Sequence, residues 1–242
     1  MSVSENYSEQ GLKVRRAEDR GVADFGWLKS AHSFSFGQFY DPAFMGFENL
    51  RVINDDRVAG GAGFPMHPHQ DAEIFSYILD GALEHKDSMG NGSQVKAGGV
   101  QYMSAGSGVR HSEYNPLPDQ DIRFLQIWLM PNVQGEAPVY DTMDISPEEK
   151  DGRLKLFLSR DGRSDSMRIK ADADIYAAQL NGDQEIRFSI PEQKKAWVQV
   201  ARGQLSLNGV SLNEGDGVAI NDPGPLNFSN GEQAEFILFE LG

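Results

Sequence analysis

The stretch "DGALEHKDSMGNGSQVKAGGVQYMSAG" (80–106) decides how the chain is read. A glycine opens a short alternating run, a polar turn interrupts it, and a second run ends at Gly98-Gly99. A third run then begins at once. Alternation over four to eight residues marks strands, and Gly, Asn, Asp and Ser clusters mark the turns between them. The same order recurs in "RGQLSLNGVSLNEGDGVAINDPG" (202–224) with a shorter turn, where Gly203 answers Gly81 and Gly215 answers Gly98. Two passages with one pattern point to a duplicated unit.

Similar runs continue outward: "NLRVIND", "EIFSYILDG", "RFLQIWLMP", "AWVQVARG" and "EFILFELG". Their close spacing predicts an all-β protein of two related β-barrels with few short helices. The one helix signal is "SPEEKDGRL" (146–154), where Ser146 and Glu149 have capping-box spacing. Pro131 to Pro147 reads as the connection between the halves. This gives an N-terminal barrel over 1–135, a linker over 136–147 and a C-terminal barrel over 148–242.

Composition narrows the function classes. The chain has 242 residues, enough for two such units, and 22 basic against 36 acidic side chains give a net charge of -14. That surface repels phosphate backbones and anionic lipid, so no direct nucleic-acid or membrane partner is expected. There is no cysteine, so a metal would have to sit on nitrogen and oxygen ligands. The start, "MSVSENYSEQGLKVRR", carries no apolar signal run, and no window reaches the length of a membrane span. A cytoplasmic protein is expected.

All five histidines lie at or before position 111, in the first half alone. Aligning Gly81 with Gly203 sets Ser189 and Pro191 where His67 and His69 stand. In "GAGFPMHPHQDAE" (61–73), His67 and His69 lie two apart, so on a strand both face one side, roughly 6.5–7 Å apart along the chain. Pro68 between them suits a strand edge and stiffens the backbone. "VRHSEYN" repeats the spacing with His111 and Glu113. A barrel would bring the two pairs face to face across its interior, giving three imidazoles and a carboxylate for one ion. Glu73 competes with Glu113. In a straight strand it would lie about 13 Å from His69, so ligation needs a turn that Glu113 does not. His85 reads as a solvated strand end, and His32 as a hydrogen-bonded core residue. The aromatic run Trp27, Phe34, Phe36, Phe39, Tyr40, Phe44 and Phe47 reads mostly as core, with some rings free to wall a pocket for a flat ligand.

Gly61, His67, His69, Glu73 and Gly81 stand at the spacing of the first cupin motif, and Gly99, His111 and Asn115 at that of the second. Ser104 replaces the usual proline of the second motif, and about two residues are added before His111. The runs "GWLKSAHSFSFGQFYDPAFMGFENLRVINDDRV", "FPMHPHQDAEIFSYILDGALEHKDSMGN" and "SAGSGVRHSEYNP" resemble the pirin family. The resemblance implies a bicupin, two barrels face to face, with metal in the N-terminal one only. It implies the ligands His67, His69, His111 and Glu113, and leaves Glu73 either lining the pocket or backing the ligands. It further implies one divalent ion, iron first, with Mn, Co, Ni, Cu or Zn tolerated. The activity implied is that of a quercetin 2,3-dioxygenase, which opens a flavonol ring with dioxygen, and Glu113 would serve as catalytic base. The alternative implied by animal relatives is an iron-dependent co-regulator acting on a protein partner. A sugar-phosphate isomerase would want more basic residues than Lys86, Lys96 and Arg110.

Overall fold

A computed structural model describes residues 11–242. The first half contains β1 (Leu12–Arg15), β2 (Gly21–Asp24), β3 (Leu28–His32), β4 (Leu50–Val58), β5 (Gly63–His69) and β6 (Glu73–Asp80). It continues through β7 (Ala82–Asp87), β8 (Gly92–Lys96), β9 (Gly99–Ser104), β10 (Val109–Tyr114), β11 (Ile122–Leu129) and β12 (Val139–Asp144). A single helical turn, α1 (Pro147–Lys150), leads to β13 (Lys155–Ser159), β14 (Met167–Arg168), β15 (Ala173–Gly182) and β16 (Ile186–Ile190). The chain closes with β17 (Lys195–Leu207), β18 (Val210–Asn213), β19 (Gly217–Ile220) and β20 (Gly224–Leu241). The helix is held as its spacing predicts, with the Glu149 carboxylate accepting the Ser146 N–H at 2.9 Å.

In the first barrel a sheet ordered β12-β9-β6-β11-β4-β3-β2 faces a smaller sheet ordered β5-β10-β7-β8. The second barrel is wound from one sheet, β1-β19-β17-β20-β15-β13-β14, with β16 on β20 and β18 on β17. The repeat seen in the sequence is real in the backbone. Gly81 and Gly203 have φ of 76° and 63°, and Gly98 and Gly215 both have 87°. These left-handed glycines stand at matching places in the two barrels, and an added Cβ at Gly203 would lie 2.3 Å from the Glu232 carbonyl oxygen.

Alternation assigns each face. On β11, Leu125, Ile127 and Leu129 belong to the core shared between the barrels; their neighbours Gln126 and Trp128 turn into the first barrel and line its cavity. On β20, Ile237, Phe239 and Leu241 join the same shared core. The barrels thus pack face to face across rings such as Phe75 on Phe157 (centroids 5.6 Å) and Phe34 on Trp197 (4.7 Å).

Three details depart from the expected partition. First, β12 lies inside the expected linker and pairs with β9, Val139 opposite Ser104. Second, β1, expected with the first barrel, pairs with β19 of the second, Leu12 opposite Ile220. Short strands of that kind carry too little periodicity to show which sheet they join. Third, the barrel positions of His67 and His69 are answered by Phe188 and Ile190, not by Ser189 and Pro191. Phe228 faces Leu207 and Ile186 as Glu113 faces His85 and Phe64. From there β5 holds one extra residue, a bulge between Phe64 and His67, which β16 lacks. The β16–β17 loop is one residue longer and cancels the shift at Gly203. Phe188 and Ile190 pack into the second barrel, whereas Ser189 and Pro191 are exposed.

Candidate metal centre

β5 and β10 run antiparallel with His67 directly opposite His111. Beyond the bulge, Glu113 follows on β10 with Phe64 as its partner. This brings His67, His69 and His111 together, with candidate ligand atoms all within 4.8 Å of one another. Their ring centroids are 4.5–4.9 Å apart. Glu113 groups instead with His111 and His85, again within 4.8 Å. His111 is therefore the shared member of two groups.

Burial keeps His69 and His111 neutral. It lowers the pKa of His69 to about 4, helped by the neighbouring His67. It takes His111 to about 2, with His67, His69 and His85 each adding repulsion. Neutral rings are what a metal requires. His67 Nδ1 lies 2.7 Å from the Pro65 carbonyl oxygen, so it donates there and Nε2 keeps its lone pair. His111 Nε2 is buried and has no hydrogen-bond partner. An orphaned ring nitrogen beside two further imidazoles fits a nitrogen-ligated ion.

Glu113 is 1% exposed. Burial pushes its pKa up to about 7 against the pull of Ser76, Gln126 and Gln101. Gln126 donates to Oε2 at 2.9 Å, Ser76 donates to Oε1 at 3.3 Å, and Gln101 also donates to Oε1. Beside it opens a cavity of about 520 Å³ reaching His67, His69 and Glu113. Phe36, Phe39, Phe64 and Trp128 wall it, and Val22 and Phe25 line it as exposed residues. Trp128 meets His69 edge-on at 4.9 Å, and Phe36 meets Trp128 edge-on at 5.8 Å. Of the aromatic run, only Phe36 and Phe39 line the cavity; Phe34 is core, and Phe44 and Phe47 pack against that core.

Two expectations change. His85 is not solvated: it is 0% exposed, stacked on Tyr140 of β12 at 4.1 Å and 11°, and in contact with Asp87 and His111. Leu83, two residues earlier on β7 and 1% exposed, carried the signal, since both share the inward face. Glu73 neither lines the pocket nor backs the ligands. It shares a face of β6 with Phe75 and Tyr77, which points at the second barrel. There it accepts from Ser104 Oγ at 2.7 Å, the Lys170 N–H at 3.1 Å, and the Tyr102 hydroxyl. His32 behaves as read, hydrogen-bonded to Asn54 at 2.7 Å, though it also lines the cavity.

Sequence reasoning missed Asp56. It lines the cavity, is 4% exposed, and its Oδ1 has no partner. Burial raises its pKa to about 7; a bond from Ser30 opposes this, and Asp55 and Glu113 add to it. Asp87 is another omission. Burial would raise its pKa, but donors from Asn91, His85 and Met89 hold the carboxyl below its usual range.

Comparison with known proteins places nearly the whole chain among its relatives. Residues 13–129 match the Pirin family model, and 156–241 match that of the quercetinase C-terminal cupin domain. A quercetin 2,3-dioxygenase of Escherichia coli K12 is 43% identical over 95% of this chain and 98% of its own. The crystal structure of YhhW from Escherichia coli superposes with a TM-score of 0.92 at 42% identity, covering 96% of this chain and 97% of that one. A second structure, bacterial pirin YhhW in complex with nickel(II), gives 0.90 at 43% identity, covering 95% and 98%. Among the described residues, no helix is long and apolar enough to cross a membrane.

Proposed function

The chain belongs to the pirin family, and from that premise we propose that it is a metal-dependent dioxygenase opening the ring of quercetin-like flavonols. The observation that carries this reading is the cluster of His67, His69 and His111, with the buried Glu113 carboxylate beside His111, at an aromatic-walled cavity of about 520 Å³ that His67, His69 and Glu113 line. Small-molecule sites span about 300–1,000 Å³, mostly apolar with a few placed polar groups. A substrate-sized cavity at the imidazoles favours an enzyme over a co-regulator, which would need the ligands alone.

His67, His69 and His111 would hold the ion, with Glu113 as the fourth ligand. Three imidazoles and a carboxylate suit Fe(2+) and also accept Mn, Co, Ni, Cu or Zn. The ion would supply Lewis acidity and a redox link between substrate and dioxygen. The remaining steps belong to the protein. Phe36, Phe39 and Trp128 sandwich the flat substrate and keep water from it. Glu113 accepts the flavonol hydroxyl proton on a carboxylate oxygen; burial raises its pKa to about 7 without metal, and a bound cation would lower it and keep the carboxylate ionised to take that proton. Its two oxygens allow ligation and proton uptake by one group. Gln126, Gln101 and Ser76 fix its orientation.

The test is anaerobic addition of quercetin to iron-loaded protein, followed by a pulse of dioxygen. Loss of flavonol absorbance with release of carbon monoxide is expected. Bound flavonol that survives the pulse would contradict the reading.

A further inference from the structure

The side chains of Asp87 and His85 are buried, 0% and 1% exposed, and have no part in the mechanism above. Asp87 accepts from four donors. Oδ1 takes the backbone N–H of Met89 at 2.8 Å and of Asn91 at 3.0 Å. Oδ2 takes Asn91 Nδ2 at 2.9 Å and His85 Nε2 at 3.1 Å. A carboxylate so surrounded can only accept, so His85 Nε2 carries a hydrogen. The opposite nitrogen of a neutral His85, Nδ1, is then an acceptor. It lies 3.4 Å from His111 Nδ1. His111 Nδ1 must therefore be the protonated nitrogen, and Nε2 the bare one. That bare Nε2 is the buried atom without a partner.

We propose that His85, anchored by Asp87, is a positioning residue that fixes His111 in the tautomer with Nε2 unprotonated, available beside His67 and His69. The proposal rests on the metal site read above but not on flavonol turnover. Partners behind a ligating histidine commonly set its tautomer and ring orientation, and losing one costs about 10–100-fold in metal affinity. Tyr140 completes the device by stacking flat on His85 and pinning its ring. The strand that carries Tyr140 pairs with β9 along one edge of the barrel.

The direct test uses nitrogen-15 histidine spectra of the metal-free wild-type protein, which needs no variant to fold. His111 is expected with hydrogen on Nδ1 and none on Nε2; the reverse tautomer overturns the proposal. Nickel(II) affinity, read by chelator competition, gives the second arm. His85→Phe keeps the stack on Tyr140 but offers no acceptor, and should weaken binding about 10–100-fold. His85→Asn keeps an acceptor near the Nδ1 position and should recover most of that loss. Unchanged affinity in His85→Phe, or equal loss in both folded variants, overturns the proposal; equal loss would make His85 a ligand itself. Neither arm measures turnover, so an inactive protein with the expected tautomer would sink the dioxygenase reading alone.

Discussion

Where Ser76, Gln101 and Gln126 surround Glu113 in the first barrel, the strand registers set Val198, Val218 and Leu238 around Phe228 in the second. The same correspondence matches His111 with Leu226, His85 with Leu207 and Asp56 with Ala178. The backbone tolerates either filling. The second barrel is sealed with hydrocarbon; the first keeps titratable groups that cost stability unless every one finds a partner. A barrel that folds without such groups has no structural need of them, so their presence in its twin marks a site.

The largest effect expected is on metal binding. His111→Leu, which installs the second barrel's residue, and His67→Ala should each cut bound metal from about one ion per chain to less than about a tenth. Elemental analysis reads this, and full occupancy in both would break the contrast between the barrels. The reverse exchange, Phe228→Glu, sets a carboxyl among valines and leucines with no donors. It should destabilise the protein by about 3 kcal/mol or more in urea unfolding. A loss below about 1 kcal/mol would mean that polarity does not distinguish the two interiors.

Asp56→Asn sharpens the comparison through pH. The folded-state pKa of Asp56, about 7, lies above its unfolded value. Any stability it contributes is therefore complete below the unfolded pKa and is lost as pH rises through about 7. The metal-free variant should thus gain on wild type between about pH 4 and 7, by a few kcal/mol at most. Melting curves across that range check it, and a gap that narrows with rising pH would contradict the burial of a carboxyl there. The smallest effect is expected from Gln126→Leu, again the second barrel's residue. Loss of one donor to the Glu113 carboxylate, worth about 1.5–3 kcal/mol, should move the acidic limb of the activity profile up by one to two units. An unmoved limb would remove Glu113 as the titrating base.

Much of this contrast is legible in the amino-acid sequence. Gly81, Gly98, Gly203 and Gly215 announced the duplication because only glycine takes those left-handed turns freely. The HPH and HSE spacings announced the imidazole cluster because a strand alternates its faces. What stayed hidden depends on contacts far apart in the chain. The bulge in β5 exists only relative to its partner strand, so an alignment of the two sequences sets the counterparts of His67 and His69 one residue off. Nothing local says that β1 crosses to the second barrel or that β12 covers His85. Glu73 was misplaced for another reason. Its parity with Phe75 and Tyr77 was readable, but which face of β6 meets the other barrel was not. Asp56 sits in "NLRVINDDRV" beside Asp55, and the sequence cannot say which of the two faces inward.

The most direct test of the central claim is an anomalous difference map from crystals loaded with a single transition metal. One peak is predicted, about 2.0–2.2 Å from a ring nitrogen of each of His67, His69 and His111. A peak held by His85, His111 and Glu113 without His67 and His69, or no peak in metal-replete crystals, would contradict it.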